Sequence, residues 1–211
     1  MPYLLPNQVS FCEVSGRLIF LDLLHDRYFC LRPAAEAAFR NKLPIGSEQQ
    51  TDEAFRAVDD RPVALLARTV PTATRSVLDQ PAIARPGWAE VACACAALLA
   101  ARASLRRRGL AATVSRMREI MAARSNSIHA STSERIARAF MRADLVLSPL
   151  DQCLPRSIAL ASTLARRGIS ASLVIGVRLR PFLAHSWVQS GTLLLNDRPD
   201  VVCTFVPILV V

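Results

Sequence analysis

Proline 155 constrains this chain more than any other single residue. It lies in Asp151-Gln152-Cys153-Leu154-Pro155, ahead of an amphipathic run through Arg166 and Arg167 that stops at Gly168. Proline has no N–H and clashes with the preceding turn, so a helix accepts it only in its first turn. The helix must therefore begin within a residue or two of Cys153, and we read it over 154–167 with Gly168 as its C-cap. Strand-like stretches follow near 170–177, 184–189 and 192–195, with Gly191 marking a hairpin between the last two. A helix feeding an antiparallel sheet is the expected C-terminal frame.

That frame brings three chemically useful residues into order. Cys153 stands at the helix start, His185 in the alternating strand Ala-His-Ser-Trp-Val-Gln-Ser, and Asp197 after the next strand. A thiol reacts with a carbonyl only as thiolate, and its free pKa of about 8.5 leaves little of that form at neutral pH. Unpaired N–H groups and the dipole at a helix N-terminus favour the anion, and an imidazole on the adjoining sheet can take the proton. A carboxylate on the far ring nitrogen would fix the tautomer and stabilise the imidazolium. Trp187 shares a strand face with His185 and is placed to pack over the His–Asp pair or to serve as core. Taken singly, each residue has a plainer reading: cysteine as a small buried hydrophobe, histidine as a surface group, Asn196-Asp197 as a turn dipeptide.

The rest of the chain divides into units. Val9 to Val14, Arg17 to Leu24 and Arg27 to Leu31 read as a three-stranded meander, turning at Ser15-Gly16 and His25-Asp26. A short helix is expected from Pro33, a second weak one after Ser47, and a last helix or strand over Val63 to Thr69. Residues 1–76 thus form a small sheet with helices, 77–89 a Pro-rich linker or long loop, and 90–211 the second unit. Trp88 to Arg108 is expected as a helix stopped by Gly109, followed by helices near 110–123 and 131–147. The fold class is α+β.

Composition narrows the partners. With 26 basic against 17 acidic residues the chain carries +9, but its arginines are scattered and few aromatics lie among them, which argues against nucleic acid. The excess charge suits an acidic peptide instead. No basic, apolar secretory signal opens the chain. The apolar stretch Val91 to Ala101 is shorter than the about 20 residues a membrane span needs, so a buried helix is expected there. The six cysteines show no disulfide-framework spacing, as suits a cytoplasmic protein without membrane insertion. Cys93 and Cys95 are too far round a helix from each other to share a metal and are expected as core fillers; no metal or cofactor site is read.

In order along the chain, Asp151-Gln-Cys153-Leu-Pro-Arg-Ser, Gly168-Ile, Ile175-Gly176-Val-Arg178, Pro181-Phe-Leu-Ala-His185-Ser-Trp187-Val and Asn196-Asp197 resemble the leader peptidase of lasso-peptide biosynthesis. The resemblance covers about 90–211. It implies a transglutaminase-like (papain-like) cysteine protease, with Cys153 as nucleophile, His185 as base and Asp197 as orienter. Leu18-Ile-Phe-Leu-Asp22 through Tyr28-Phe-Cys-Leu31 resembles the RiPP recognition element, a winged-helix-like domain that adds a leader peptide as a strand to a three-stranded sheet. It implies leader contacts at Asp22, Tyr28 and Leu31. The implied partners are the leader region of a precursor peptide and an asparagine-synthetase-like lasso cyclase. An acyltransferase of transglutaminase type and a non-catalytic leader carrier are the alternatives.

Overall fold

A computed structural model of the chain describes residues 3–5, 8–41, 69–81, 85–122, 130–147 and 153–211. The N-terminal meander forms from β2 (Val9–Val14), β3 (Arg17–Asp22) and β4 (Arg27–Cys30). Ser15 and Gly16 both take positive φ in the first turn, the conformation that suits the twist of a tight hairpin. A short strand β1 (Tyr3–Leu5), not anticipated from sequence, pairs with β2 and makes the antiparallel order β1-β2-β3-β4.

Strand alternation gives this sheet two apolar faces. Phe11, Phe20 and Phe29 stand opposite one another across β2, β3 and β4. They lie under α1 (Pro33–Arg40), whose Phe39 meets Phe11 and Phe20 edge-on at 5.3 and 5.4 Å. The helix is latched by buried Glu36, which accepts hydrogen bonds from the Leu18 N–H (3.1 Å), Arg17 Nε (2.9 Å) and Arg40 (3.0 Å). On the opposite face Cys12, Ile19, Leu21 and Tyr28 join the main core of the molecule. Strand β2 packs there against the C-terminal strand β9 (Val206–Val210), and the Ala111 N–H donates to the Leu23 carbonyl at 3.1 Å.

Helix α2 (Trp88–Ala122) turns sharply at Gly109, where φ is 73°, so its two limbs match the two helices expected on either side of that glycine. Its first limb departs from the expected buried helix. Only the stripe Val91, Ala94, Leu98 and Ala101 enters the core, while Leu99 and Trp88 are exposed. Cys93 is exposed and so is not a core filler, while half-buried Cys95 packs against the main core as expected. By length and composition α2 is apolar enough to cross a membrane, but that stripe is spent on protein contacts.

Helices α3 (Ala130–Val146) and α4 (Cys153–Arg166) follow. α4 is enclosed by α2, α3 and the strands β6 (Ser172–Leu179) and β7 (Phe182–Ser190). The second sheet runs β5-β8-β7-β6-β9, with β5 (Arg75–Ser76) parallel to β8 (Leu193–Leu194) and the other pairs antiparallel. A four-residue helix, α5 (Pro199–Val202), leads into β9; α5, β5 and β9 were not read from sequence. Around the Pro-rich stretch Arg138 donates to the carbonyls of Val77, Gln80 and Pro81, and Arg142 to that of Pro86. The segments expected after Ser47 and over 63–68 lie outside the described residues.

Removing the Glu36 carboxylate strands the buried Leu18 N–H and frees two arginines. Glu36→Ala is therefore expected to destabilise the protein by about 1–3 kcal/mol, read as a lower midpoint in urea unfolding.

Candidate active site

Cys153 is the first residue of α4, as the position of Pro155 required. His185 lies in β7, opposite Gly176 of β6. Asp197 follows β8 in the turn before α5. The structure brings all three together. His185 Nε2 is hydrogen-bonded to Asp197 Oδ2, and the imidazole lies near enough to Cys153 for each to act on the other's protonation. With Nε2 engaged, the nitrogen left for sulfur is Nδ1.

The electrostatics follow from this chain of contacts. Burial pushes the Cys153 thiol up, but the neighbouring His185 and, after it, Ser186 outweigh that effect, and the thiol sits below its ordinary value. The hydrogen bond to Asp197, then that to Cys153, raises His185 to about 9 against the opposing effect of burial. At neutral pH the pair is thus biased toward thiolate and imidazolium.

Apolar side chains cover the imidazole. Trp187 stacks on it at 6.3 Å and Phe205 lies tilted against it at 5.2 Å. Trp187 reaches this position because residue 176 is glycine. A Cβ there would come within 2.8 Å of the indole and 2.9 Å of Phe205 Cβ, closer than packed carbons allow. The indole N–H is satisfied by Gln189 Oε1 at 2.8 Å, and Gln189 in turn donates to the Pro71 carbonyl at 2.8 Å.

A second set of side chains, which the sequence reading did not single out, holds the three elements in register. Ser157, one turn below Cys153 and fully buried, donates to the Ser186 carbonyl at 2.9 Å. Its oxygen accepts from Asn196 Nδ2 at 3.0 Å, and Asn196 Oδ1 accepts from the Val188 N–H at 2.8 Å. Ser76 of β5 donates to the Asp197 carbonyl at 2.5 Å, while Asp197 Oδ1 accepts the Arg198 N–H at 2.8 Å. The i, i+4 spacing of Cys153 and Ser157 was a usable signal for this junction; nothing in the sequence near Ser76 pointed to its role.

The three other residues singled out from sequence are not grouped. Asp22 serves its own turn, accepting the Leu24 and His25 N–H groups at 3.0 and 3.1 Å and pairing with the His25 ring at 2.7 Å. Leu31 packs against the aromatic cluster under α1. Tyr28 lies on the opposite sheet face, against the main core. Asp151 and Gln152 lie outside the described residues. Among the described residues no group of His, Cys, Asp and Glu is arranged to hold a metal ion.

Two outcomes test this geometry. Alkylation of Cys153 by iodoacetamide, mapped by mass spectrometry, is expected to titrate below the ordinary thiol value of about 8.5 and to outpace that of exposed Cys30 and Cys203 at neutral pH. Because His185 stays charged up to about 9 and that charge favours the thiolate, the rapid reaction at neutral pH should depend on Asp197; Asp197→Asn lowers the imidazole pKa and moves the Cys153 alkylation midpoint up toward the ordinary thiol value. Ser157→Ala leaves the Asn196 amide short of an acceptor, at an expected cost of about 1–3 kcal/mol in urea unfolding, together with slower Cys153 alkylation.

Residues 95–210 match the family model of the transglutaminase-like superfamily. A stretch of 49 residues is 51% identical to the microcin J25-processing protein McjB of Escherichia coli, spanning 23% of this chain and 24% of that protein. No solved structure matches the chain. With the family model covering more than half of its length, from the first limb of α2 to the end of β9, the chain belongs to the transglutaminase-like superfamily.

Proposed function

We propose that the chain is a cysteine peptidase that binds the leader of a ribosomally made lasso-peptide precursor and hydrolyses the leader–core bond. The observation that carries this reading is the contact chain Cys153–His185–Asp197, with thiol and imidazole shifted toward their charged forms. The processing role in the name of the matched E. coli protein points to the same class of substrate.

In this reading Cys153 is the nucleophile. Its sulfur bonds to the carbonyl carbon of the leader's last residue, and the oxyanion accepts from backbone N–H at the start of α4. His185 gives its Nδ1 proton to the departing amine as the C–N bond breaks, leaving a leader thioester and a core peptide with a free N-terminus. A water then loses a proton to His185 while its oxygen displaces sulfur, and the leader departs as a carboxylic acid. Thiolate and imidazolium are restored, with Asp197 stabilising the latter throughout. The freed core amine is the nucleophile for ring closure by a partner cyclase of asparagine-synthetase type.

Substrate choice falls to residues 1–76, joined through 77–89 to the peptidase unit 90–211. Strand β4 ends its sheet and has no strand on its outer side among the described residues. A leader added there gains backbone hydrogen bonds for affinity and side-chain contacts for specificity, with Leu31 at the strand's end.

Mass spectrometry of a precursor incubated with the protein tests the reading. Wild type should release free leader acid and core, and Cys153→Ala should lose this by about a thousandfold or more while still binding leader. A new leader amide would instead indicate acyl transfer, and unchanged product with Cys153→Ala would indicate a carrier.

A further inference from the structure

The N-terminal sheet meets the peptidase unit beside the reactive thiol, and the residue that meets it is Tyr28. Its ring contacts Phe182 in a T-shaped arrangement, 5.4 Å between centroids and 61° between planes. Tyr28, Leu154 and Ala184 all pack as half-buried groups against the same core. Leu154 is the neighbour of Cys153 and Ala184 the neighbour of His185. One aromatic of the first unit thus touches the strand that carries His185 and lies near enough to Cys153 to feel its charge. Burial, then the charges of Asp26 and Cys153, hold the Tyr28 hydroxyl well above the usual phenol range, so it remains protonated and neutral.

Strand alternation relates Tyr28 to the thiol more closely. Phe182, Ala184 and Ser186 share one face of β7, and Ser186 is close enough to Cys153 to act on its thiol. Along that face the open ring of Phe182 is followed by half-buried Ala184 and then by buried Ser186 near the thiol. Phe182 to Ser186 spans about 13 Å at the rise of a strand, equal to about four residues of an extended peptide. Phe182 is 46% exposed, a large apolar surface left open to water on the strand that carries His185.

We propose that Tyr28 and Phe182 form an apolar subsite, built jointly by the two units, that receives an aliphatic or aromatic leader side chain within about four residues of the scissile bond. The proposal rests on the peptidase reading. It makes the N-terminal sheet part of the cleft as well as the anchor of the leader, so the bond is cut only when that sheet is seated. Tyr28 supplies a ring face here and no proton, so Tyr28→Phe should behave as wild type.

The test separates the subsite from leader anchoring and from catalysis. The probe is a fluorescein-labelled peptide with about four residues on either side of the leader–core junction, lacking the upstream leader. Its anisotropy is measured with Cys153→Ala and with Cys153→Ala carrying Tyr28→Ala, Tyr28→Phe or Phe182→Ser. Binding should weaken about tenfold, near 1.4 kcal/mol, for Tyr28→Ala and for Phe182→Ser, and stay unchanged for Tyr28→Phe. Replacing the peptide's apolar leader-side residue by Asp should cost the same tenfold with Cys153→Ala and little more once Tyr28 is Ala. Phe182 is exposed, so its substitution serves even if Tyr28→Ala fails to fold. Equal affinities across the variants, or no binding of the short peptide to any, would overturn the subsite. Weakened binding of this kind with a wild type that cleaves nothing would keep the subsite and sink the peptidase reading.

Discussion

The Ser157 hydroxyl donates to the Ser186 carbonyl and accepts from the Asn196 amide, so a helix, a strand and a turn are tied at one buried point. Each of these residues adjoins a member of the reactive set: Ser157 lies one turn from Cys153, Ser186 follows His185, and Asn196 precedes Asp197. Errors in placing any of the three elements are thereby felt at a buried hydrogen-bond network, where a missing partner costs more than a formed bond contributes. Such a junction specifies geometry more than it adds stability. Ser76 extends it to a strand more than a hundred residues upstream by holding the Asp197 carbonyl.

Burial of both faces of the N-terminal sheet sets how the two units relate. A small meander with one wet face would alternate apolar and polar residues. Here Phe11, Phe20 and Phe29 fill the face under α1, while Cys12, Ile19 and Leu21 fill the face toward β9. β9 is also a partner of β6, which pairs with the His185 strand. The sheet and the reactive centre thus share one continuous core, and a peptide held on β4 is held at a defined place relative to Cys153. In the proposed function, that continuity couples leader binding to cleavage without any moving part.

What the sequence disclosed depended on whether a residue's constraint was local. Pro155 and Gly168 bound α4 by their own backbone chemistry, and Gly191 marks the turn between β7 and β8, so the places of Cys153 and His185 were legible. Trp187 was placed beside His185 by strand period alone, and it stacks there. Strand β5 was not legible, because two residues carry no period and their pairing with β8 is parallel and distant. β9 was masked by Pro207, which reads against a strand until β9 is seen to lie at a sheet edge, where proline is tolerated. The first limb of α2 is Ala-rich nearly all round, so no polar face announced which side meets water, and Cys93 was misassigned to the core for that reason.

Cys12 and Cys153 show what the site adds to an ordinary thiol. Both are drawn out of water. Cys12, fully buried in the meander, is pushed up by that burial to about 12, a bias of about 4 kcal/mol toward the neutral thiol. Cys153 bears the same kind of penalty, less complete because it is only half-buried, yet finishes below the ordinary value. The groups around it outweigh that penalty: first the imidazole held by Asp197, then Ser186. Ser186 is also the residue whose carbonyl Ser157 holds. The seating of β7 against the start of α4 thus bears directly on the Cys153 thiol. The buried junction, the glycine that admits Trp187 and the seam with the N-terminal sheet all act on that one coordinate.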